Sequence, residues 1–392
     1  MAHFFEKPTA VVDTAIKLLQ REIILPQLVW LNGIGDFAGK YNDTINVRVP
    51  AAISANRMAF RAGQAGHANS GASRTIQTSD LTEDTFPVSL DHRSYTAVNL
   101  TDEQLIMDIH DFAGQVLSRQ VRAVAEDLED GLADTITGAD YATNSMFVNT
   151  DASHLWDSIV DARRKLNDLY IDRTSRRLVV GSAFEAALLK DPTFQRYDST
   201  GETPSALRDA LIGRIAGLDV VVSDALPHGN AYMFHPTAYI MVSRPPAAPR
   251  GASFTSATSA AGLAVRWLMD YDYSQTTDRS LVDTFVGYQS VEDPNGVGFV
   301  RGVKIHLKAT SVTVSGSHTL AGSVGATTQL VATDNNGDIV TDSADVTWAS
   351  SDATKATVSS SGLVTKVANG STNITAAIDG VTSSNFAVTV TS

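Results

Sequence analysis

The chain of 392 residues is 43% hydrophobic and 19% charged, enough apolar material for two or three domains with cores of their own. Its formal net charge of -13 argues against tight, extended binding to nucleic acid, which relies on Lys and Arg to neutralise phosphates. The absence of cysteine excludes disulfide frameworks, thiolate nucleophiles and Cys-based metal sites together.

The opening "MAHFFEKPTAVVDTAIKLLQREIILPQLVW" lacks the basic n-region and apolar core of a signal peptide, since Glu6, Asp13 and Glu22 interrupt it. No window approaches the roughly 18 uninterrupted apolar residues of a membrane span. A soluble protein that is not secreted and has no membrane partner is the expectation. Residues 1–40 read as an arm: Val11, Val12, Ala15, Ile16, Leu18, Leu19 and Ile23 form an amphipathic segment that should stop at Pro26. The run "LNGIGDFAGK" beyond it misses the P-loop spacing at Gly33, Gly35 and Gly39, and Tyr41 follows Lys40 where Ser or Thr is needed, so it reads as a hinge.

Residues 41–100 read as a long two-stranded excursion. "TINVRVP" and "FPVSL" alternate with period two, and between them lies a Gly/Ala/Ser-rich stretch with Arg57, Arg61 and Arg74 ahead of Asp80, Glu83 and Asp84. An isolated hairpin is marginal in water, so the excursion is expected to lie on something else. From Thr101, with Gln104 placed for a capping box, residues 101–137 predict one helix. Leu105, Ile109, Phe112, Val116, Val121, Val124, Leu128, Leu132 and Ile136 give it a single apolar stripe. Unbroken, it would be a spine on the order of 55 Å long.

Residues 150–308 read as mixed α/β. Helices are predicted in "DASHLWDSIVDARRKLNDL" and "SAFEAALLKD", and strands in "RRLVVG", "LDVVVSD", "AYIMVS", "LAVRWLMDYDY", "LVDTFVGYQSV" and "GFVRGVKIHLK". "RPPAAPRGASFTSATSAAG" reads as an exposed loop. Residues 310–392 change character: six Asp and no Glu face only Lys355 and Lys366, and Ser and Thr become dense. Turn signals at Asn336–Gly337, Ser361–Gly362 and Asn369–Gly370 separate about seven short strands, an Ig-like sandwich by pattern. The inward sets are read as Val346/Trp348, Ala356/Val358, Leu363/Thr365/Val367, Ile374/Ala376/Ile378 and Phe386/Val388/Val390.

Chemistry is sparse. The nine histidines show no metal-ligand spacing, and His228 and His235 flank a turn. Glu126, Asp127, Glu129 and Asp130 read as the solvated face of the long helix, Asp270 and Asp272 as a carboxylate pair without a third partner, and Ser182 lacks the Gly-x-Ser-x-Gly elbow. No catalytic residue, cofactor site or metal site is assigned, and the chain is read as no enzyme.

The order of parts carries the recognition. "LWDSIVDARRKLNDLYIDRTSRRLVVGSAFEAALLKDP" and "GRIAGLDVVVSDALPHGNAYMFHPTAYIMVSRPP", set behind an arm, an excursion and a spine helix, resemble the major capsid (coat) protein of tailed bacteriophages over about residues 1–308. The tail resembles the bacterial group 2 Ig-like domain through Trp348, Asp352, Val358, Gly362, Val364 and Gly370, with Lys355 a departure where that family often has an apolar residue.

The resemblance implies an α+β tailed-phage major capsid fold followed by an all-β Ig-like sandwich. Its parts would be an N-terminal arm (1–40), an extended β-hairpin loop (41–100), a spine-helix peripheral domain with an axial domain (101–308), and the Ig-like domain (310–392). It implies a structural virion protein, assembled in the host cytoplasm, whose pentamers and hexamers close into an icosahedral shell. A scaffolding protein, a portal, enclosed double-stranded DNA without tight specific binding, and cell-surface glycans at the Ig-like domain would be its partners. Arg57, Arg61 and Arg74 are expected to pair across subunits with Asp80, Glu83 and Asp84. The competing readings are a bacterial surface adhesin or S-layer protein, and an encapsulin-type compartment shell.

Overall fold

A computed structural model describes residues 24–32, 44–49, 78, 84–101, 103–104, 112–191, 214–249, 251, 254–260, 263–292, 299–341 and 345–392. The expected amphipathic arm up to Ile23, the glycine run 33–40, and Arg57, Arg61, Arg74, Asp80 and Glu83 lie outside them.

In chain order, Pro26 opens a 3-10 turn (Leu25–Leu28) that leads into β1 (Trp30–Asn32). β2 (Thr44–Val49) and β3 (Asp84–Ser89) pair antiparallel, from Thr44 opposite Ser89 to Val49 opposite Asp84, as the alternation predicts. β4 (His92–Thr101), read from sequence as the end of the excursion, is instead a ten-residue strand of a larger sheet.

Thr101 closes that strand and caps the helical segment beyond it. Its N–H donates to Gln104 Oε1 at 3.2 Å and its Oγ1 accepts from Gln104 N at 3.4 Å, the reciprocal pair of a capping box. The single unbroken α-helix expected here is interrupted, however, by one π turn at Ala113–Leu117, ahead of α1 (Ser118–Thr137), which is about 30 Å long. The stripe shifts with it: Leu117 is buried where Val116 was expected, five residues beyond Phe112, and Val121, Val124, Leu128, Leu132 and Ile136 continue it, buried.

Next come β5 (Phe147–Thr150), α2 (Leu155–Asp168), β6 (Arg177–Val180), α3 (Ser182–Lys190), β7 (Arg214–Ile215), β8 (Leu218–Val222) and β9 (Asn230–Phe234). β9 escaped the sequence reading because all five of its residues are buried, so nothing alternates. β10 (Tyr239–Arg244), β11 (Phe254–Ala260), β12 (Leu263–Asp272), β13 (Thr277–Ser290) and β14 (Gly302–Leu307) follow. β11 corrects the loop expected there: beyond Pro245, Pro246 and Pro249, the Phe/Thr/Ser run "FTSATSA" pairs along its whole length with β12, from Phe254 opposite Met269 to Ala260 opposite Leu263. Among the described residues only one edge of the strand is paired, and small polar residues suffice there.

These elements sort into two compact units that ignore chain order. The first is Met1–Thr135 with Tyr239–Phe299, and the second is Ile136–Ala238 with Val300–Ser392. The first holds a six-stranded sheet, β1-β10-β13-β12-β11, with β4 on the other side of β13. The second holds the mixed sheet β5-β14-β9-β6-β8-β7, in which α2 buries Leu155, Ile159, Ala162 and Leu166.

The second unit also contains ten short strands: β15 (Val312–Ser315), β16 (Thr319–Ala321), β17 (Thr327–Gln329), β18 (Val331–Asp334), β19 (Thr347–Ser350), β20 (Ala356–Val358), β21 (Leu363–Lys366), β22 (Gly370–Ile378), β23 (Val381–Thr382) and β24 (Phe386–Thr391). They form two-, five- and three-stranded sheets around Leu320, Leu330, Val364, Ile374, Phe386, Val388 and Val390. One strand is inverted relative to expectation. On β21 the inward residues are Val364 and Lys366, not Leu363, Thr365 and Val367, because the Lys366 ammonium donates to the carbonyls of Gly322 (2.6 Å) and Thr391 and so is satisfied inside.

Candidate functional site

In the first unit the working geometry is a rigid plate. α1 is pinned to the six-stranded sheet by a buried polar network: Gln120 Nε2 donates to Thr96 O (3.2 Å) and Ser280 O (3.0 Å), Ser280 Oγ donates to Gln120 Oε1 (2.7 Å), and Trp267 Nε1 donates to Ser280 Oγ (3.0 Å). Every member has a partner, so the network specifies one seating of helix on sheet. Further along, Gly131 leaves room for the Tyr288 ring, which would come within 2.7 Å of a Cβ there, and Tyr288 Oη donates to Leu128 O. Burial pushes the Tyr288 phenol well above its ordinary range, and Asp127 and Asp130 add to it. The carboxylates Glu126, Asp127 and Asp130 lie on the exposed face of α1 as expected, whereas Glu129 is half-buried and accepts from Ile24 N at 3.3 Å; burial together with Asp134 raises Asp130.

Across the sheet, Asp283 on β13 lies fully buried between two guanidinium groups. Arg266 on β12 donates from Nε to Oδ1 (2.9 Å) and from Nη2 to Oδ2 (2.6 Å), and Arg93 on β4 donates from Nε to Oδ2 (3.1 Å). Three strands are thus held in register by one carboxylate.

The β2–β3 ribbon is rooted on the same plate. Val88 is fully buried with Ile240, Val242 and Val291, and Trp30 and Leu90 pack beside them. At Gly287 of β13 the Ser89 carbonyl approaches so closely that a Cβ would stand 2.0 Å from it. Among the described residues β4, β11 and β1 each pair on one edge only, so the plate offers three open edges.

Of the residues picked out for inter-subunit pairing, Asp84 alone falls within the described backbone, at the start of β3 opposite Val49. The Ig-like signature residues are placed as structural pins. Trp348 Nε1 donates to Thr341 O at 3.2 Å, and its ring covers Gly362, whose φ of +73° suits glycine. Asp352 accepts from Thr354 N and Oγ1, Val364 is buried, and Val358 packs against the core. Gly370 makes room for the Lys355 stem, whose Cδ would lie 2.7 Å from a Cβ; that is how the departure at Lys355 is absorbed.

Ser182 and His228 meet, Oγ to Nδ1 at 2.7 Å, but their setting is a helix start. Phe184 N donates to His228 O, and the nearby Asp338 carboxylate accepts from the backbone of His228 and Gly229 instead of orienting the ring. His235 is half-buried, and burial with Arg301 nearby pulls its imidazole down. Asp272 accepts from Ser274 N and Oγ and so closes a turn, while Asp270 faces Arg279 in the ladder. Among the described residues no three His, Asp or Glu side chains converge as metal ligands do, and no helix is long and apolar enough to cross a membrane.

Similarity to known proteins divides the chain by sequence order and not by the two compact units. The model of the phage capsid protein family matches residues 89–284, half of the chain, and that of the bacterial Ig-like domain (group 2) matches residues 308–390. No curated protein matches significantly. Among solved structures, "Mycobacterium phage Che8" is similar at 15% identity and TM-score 0.49, over 78% of this chain and 93% of that one. "Asymmetric unit of bacteriophage PhiM1 mature capsid" is similar at 10% and 0.49, over 79% and 89%. "Capsid of Ralstonia phage GP4" is similar at 10% and 0.49, over 72% and 88%. The chain belongs to the phage capsid protein family, and it carries a group 2 Ig-like domain behind its capsid part.

Proposed function

We propose that this capsid subunit closes its shell in the host cytoplasm on a scaffolding protein and around a portal, and that it encloses double-stranded DNA without gripping it. The observation that carries this is the plate of the first unit. A helix and a sheet locked by a satisfied polar network and by the buried Asp283 between Arg266 and the more exposed Arg93 leave, among the described residues, three strand edges for other copies to meet. The net charge of -13 suits a wall that contains DNA and releases it. The domain division at residues 40, 100 and 310 is part of this reading. So is the pairing of Arg57, Arg61 and Arg74 with Asp80, Glu83 and Asp84 of a neighbour, which sets register more than affinity. For the Ig-like domain we assign cell-surface glycans as partners, because many identical weak contacts on one particle add up through avidity.

Electron microscopy and sedimentation of the full chain, expressed with and without its scaffold, test the reading. Closed shells are expected, with a markedly lower yield when all three arginines become glutamate. A compact monomer under every condition overturns the shell mechanism, and an unchanged yield from the triple variant overturns the arginine pairing.

A further inference from the structure

β14 alternates in a way that assembly does not use. Val303, Ile305 and Leu307 are buried in the second unit's mixed sheet, while Lys304 and His306 point the other way. That other face meets the Ig-like domain. His306 Nε2 lies 3.1 Å from Asp379 Oδ2, its Nδ1 lies 2.8 Å from Asn230 Oδ1, and its ring stacks on Phe147. Lys304 also sits over the Phe147 ring, with Asp345 and Asp338 favouring its charge against the burial that lowers its pKa.

A second contact lies at the turn before β9. The Asp338 carboxylate accepts from His228 N (2.6 Å) and Gly229 N (2.8 Å), and Asn336 Nδ2 donates to Leu307 O. Gly229 lets Asn336 come close: a Cβ there would stand 2.7 Å from Asn336 Nδ2, which would have to move. The connection between the two parts has no slack. Lys308 N donates to Thr150 O, Ala309 N to Asp379 Oδ2, and Thr310 N and Ser311 N to Asn335 Oδ1, so each amide of residues 308–311 is held.

We propose that the Ig-like domain is clamped to the mixed sheet rather than tethered to it. A seam of Lys304 facing Asp338 and Asp345, with His306 and the Ala309 amide bonded to Asp379 and the His228 and Gly229 amides bonded to Asp338, makes the two parts open and close as one body. A tethered domain would have exposed, polar linker amides; here the linker is bonded along its length, and Ala309 belongs to the domain's own apolar cluster.

Hydrogen–deuterium exchange on the full chain tests this. Amides 308–311, 228 and 229 are expected to be protected like those of β14. The double variant Asp338→Ala, Asp379→Gly is expected to speed their exchange at least about tenfold while β22 and β24 stay protected. Glycine is chosen at 379 because Asp379 has a φ of +53°, which alanine would strain. Molar salt on the unmodified protein should act in the same direction, and it decides the matter if the variant fails to fold. Linker amides exchanging at the rate of unstructured chain in the unmodified protein overturn the clamp. So does unchanged exchange in the folded variant. Either result would leave closed shells, and the reading above, intact.

Discussion

Asp283 is a fully buried carboxylate in the first unit's sheet. It accepts from Arg266 and Arg93 with no exposure to water, so removing it strands a buried guanidinium that makes its remaining bond to the Ala247 carbonyl. Asp283→Ala is expected to cost about 3–5 kcal/mol, the loss typical of a broken buried pair, as read from the shift of a denaturant midpoint. At the surface, Asp151 and His154 form a smaller device ahead of α2. Hydrogen bonds from Ser153 and His154 hold the Asp151 carboxyl at about 2, and Asp151 in turn raises the His154 imidazole. The aspartate's contribution is complete above its ordinary 3.8 and fades as pH falls toward 2. The histidine's is complete below its ordinary 6.5 and fades as pH rises through the raised value. Ring NMR of His154 should show a midpoint above 6.5 that drops in Asp151→Asn; an unmoved midpoint would break the assignment. Neither feature was legible beforehand: Asp283 is 17 residues from Arg266 and 190 from Arg93, and only strand pairing brings the three together.

At the scale of elements, the ribbon depends on a glycine. Gly287→Ala would drive a methyl into the Ser89 carbonyl, which is backbone and cannot swing aside. The expected outcome is a loss of about 1–3 kcal/mol in the first unit, with fewer shells by microscopy. Unchanged stability would mean that the ribbon root is not seated on β13. Elements with a period were readable: α2, α3, β6, β8, β12 and β13 fall where the pattern put them. Elements without one were not. β9 is buried on both faces, β11 is an edge of small polar residues, and β21 buries a lysine that hydropathy places outside. The π turn was not legible: the stripe read from the sequence runs through Val116, whereas the turn brings Leu117 into the core instead.

For the whole molecule, the order of parts carried the family, and the Trp348 to Gly370 signature marked the C-terminal Ig-like domain. What the order concealed is that residues 239–299 return to the unit begun by residues 1–135. It concealed the clamp for the same reason, although "VKIHLK" shows it in hindsight: the polar side chains of Lys304 and His306 alternate with three apolar ones on a strand whose polar face would otherwise have no task.

That interrupted layout has a consequence for biosynthesis. β13 is the strand to which β4, β10 and β12 all attach, and it is translated only at residues 277–290. Until then Leu117 of the π turn and Val121, Val124, Leu128 and Leu132 of α1 have no complete sheet to be buried against, while most of the second unit's mixed sheet has already been delivered. The first unit therefore completes late, and the interval before residue 290 is when a nascent chain most needs chaperone cover against premature association.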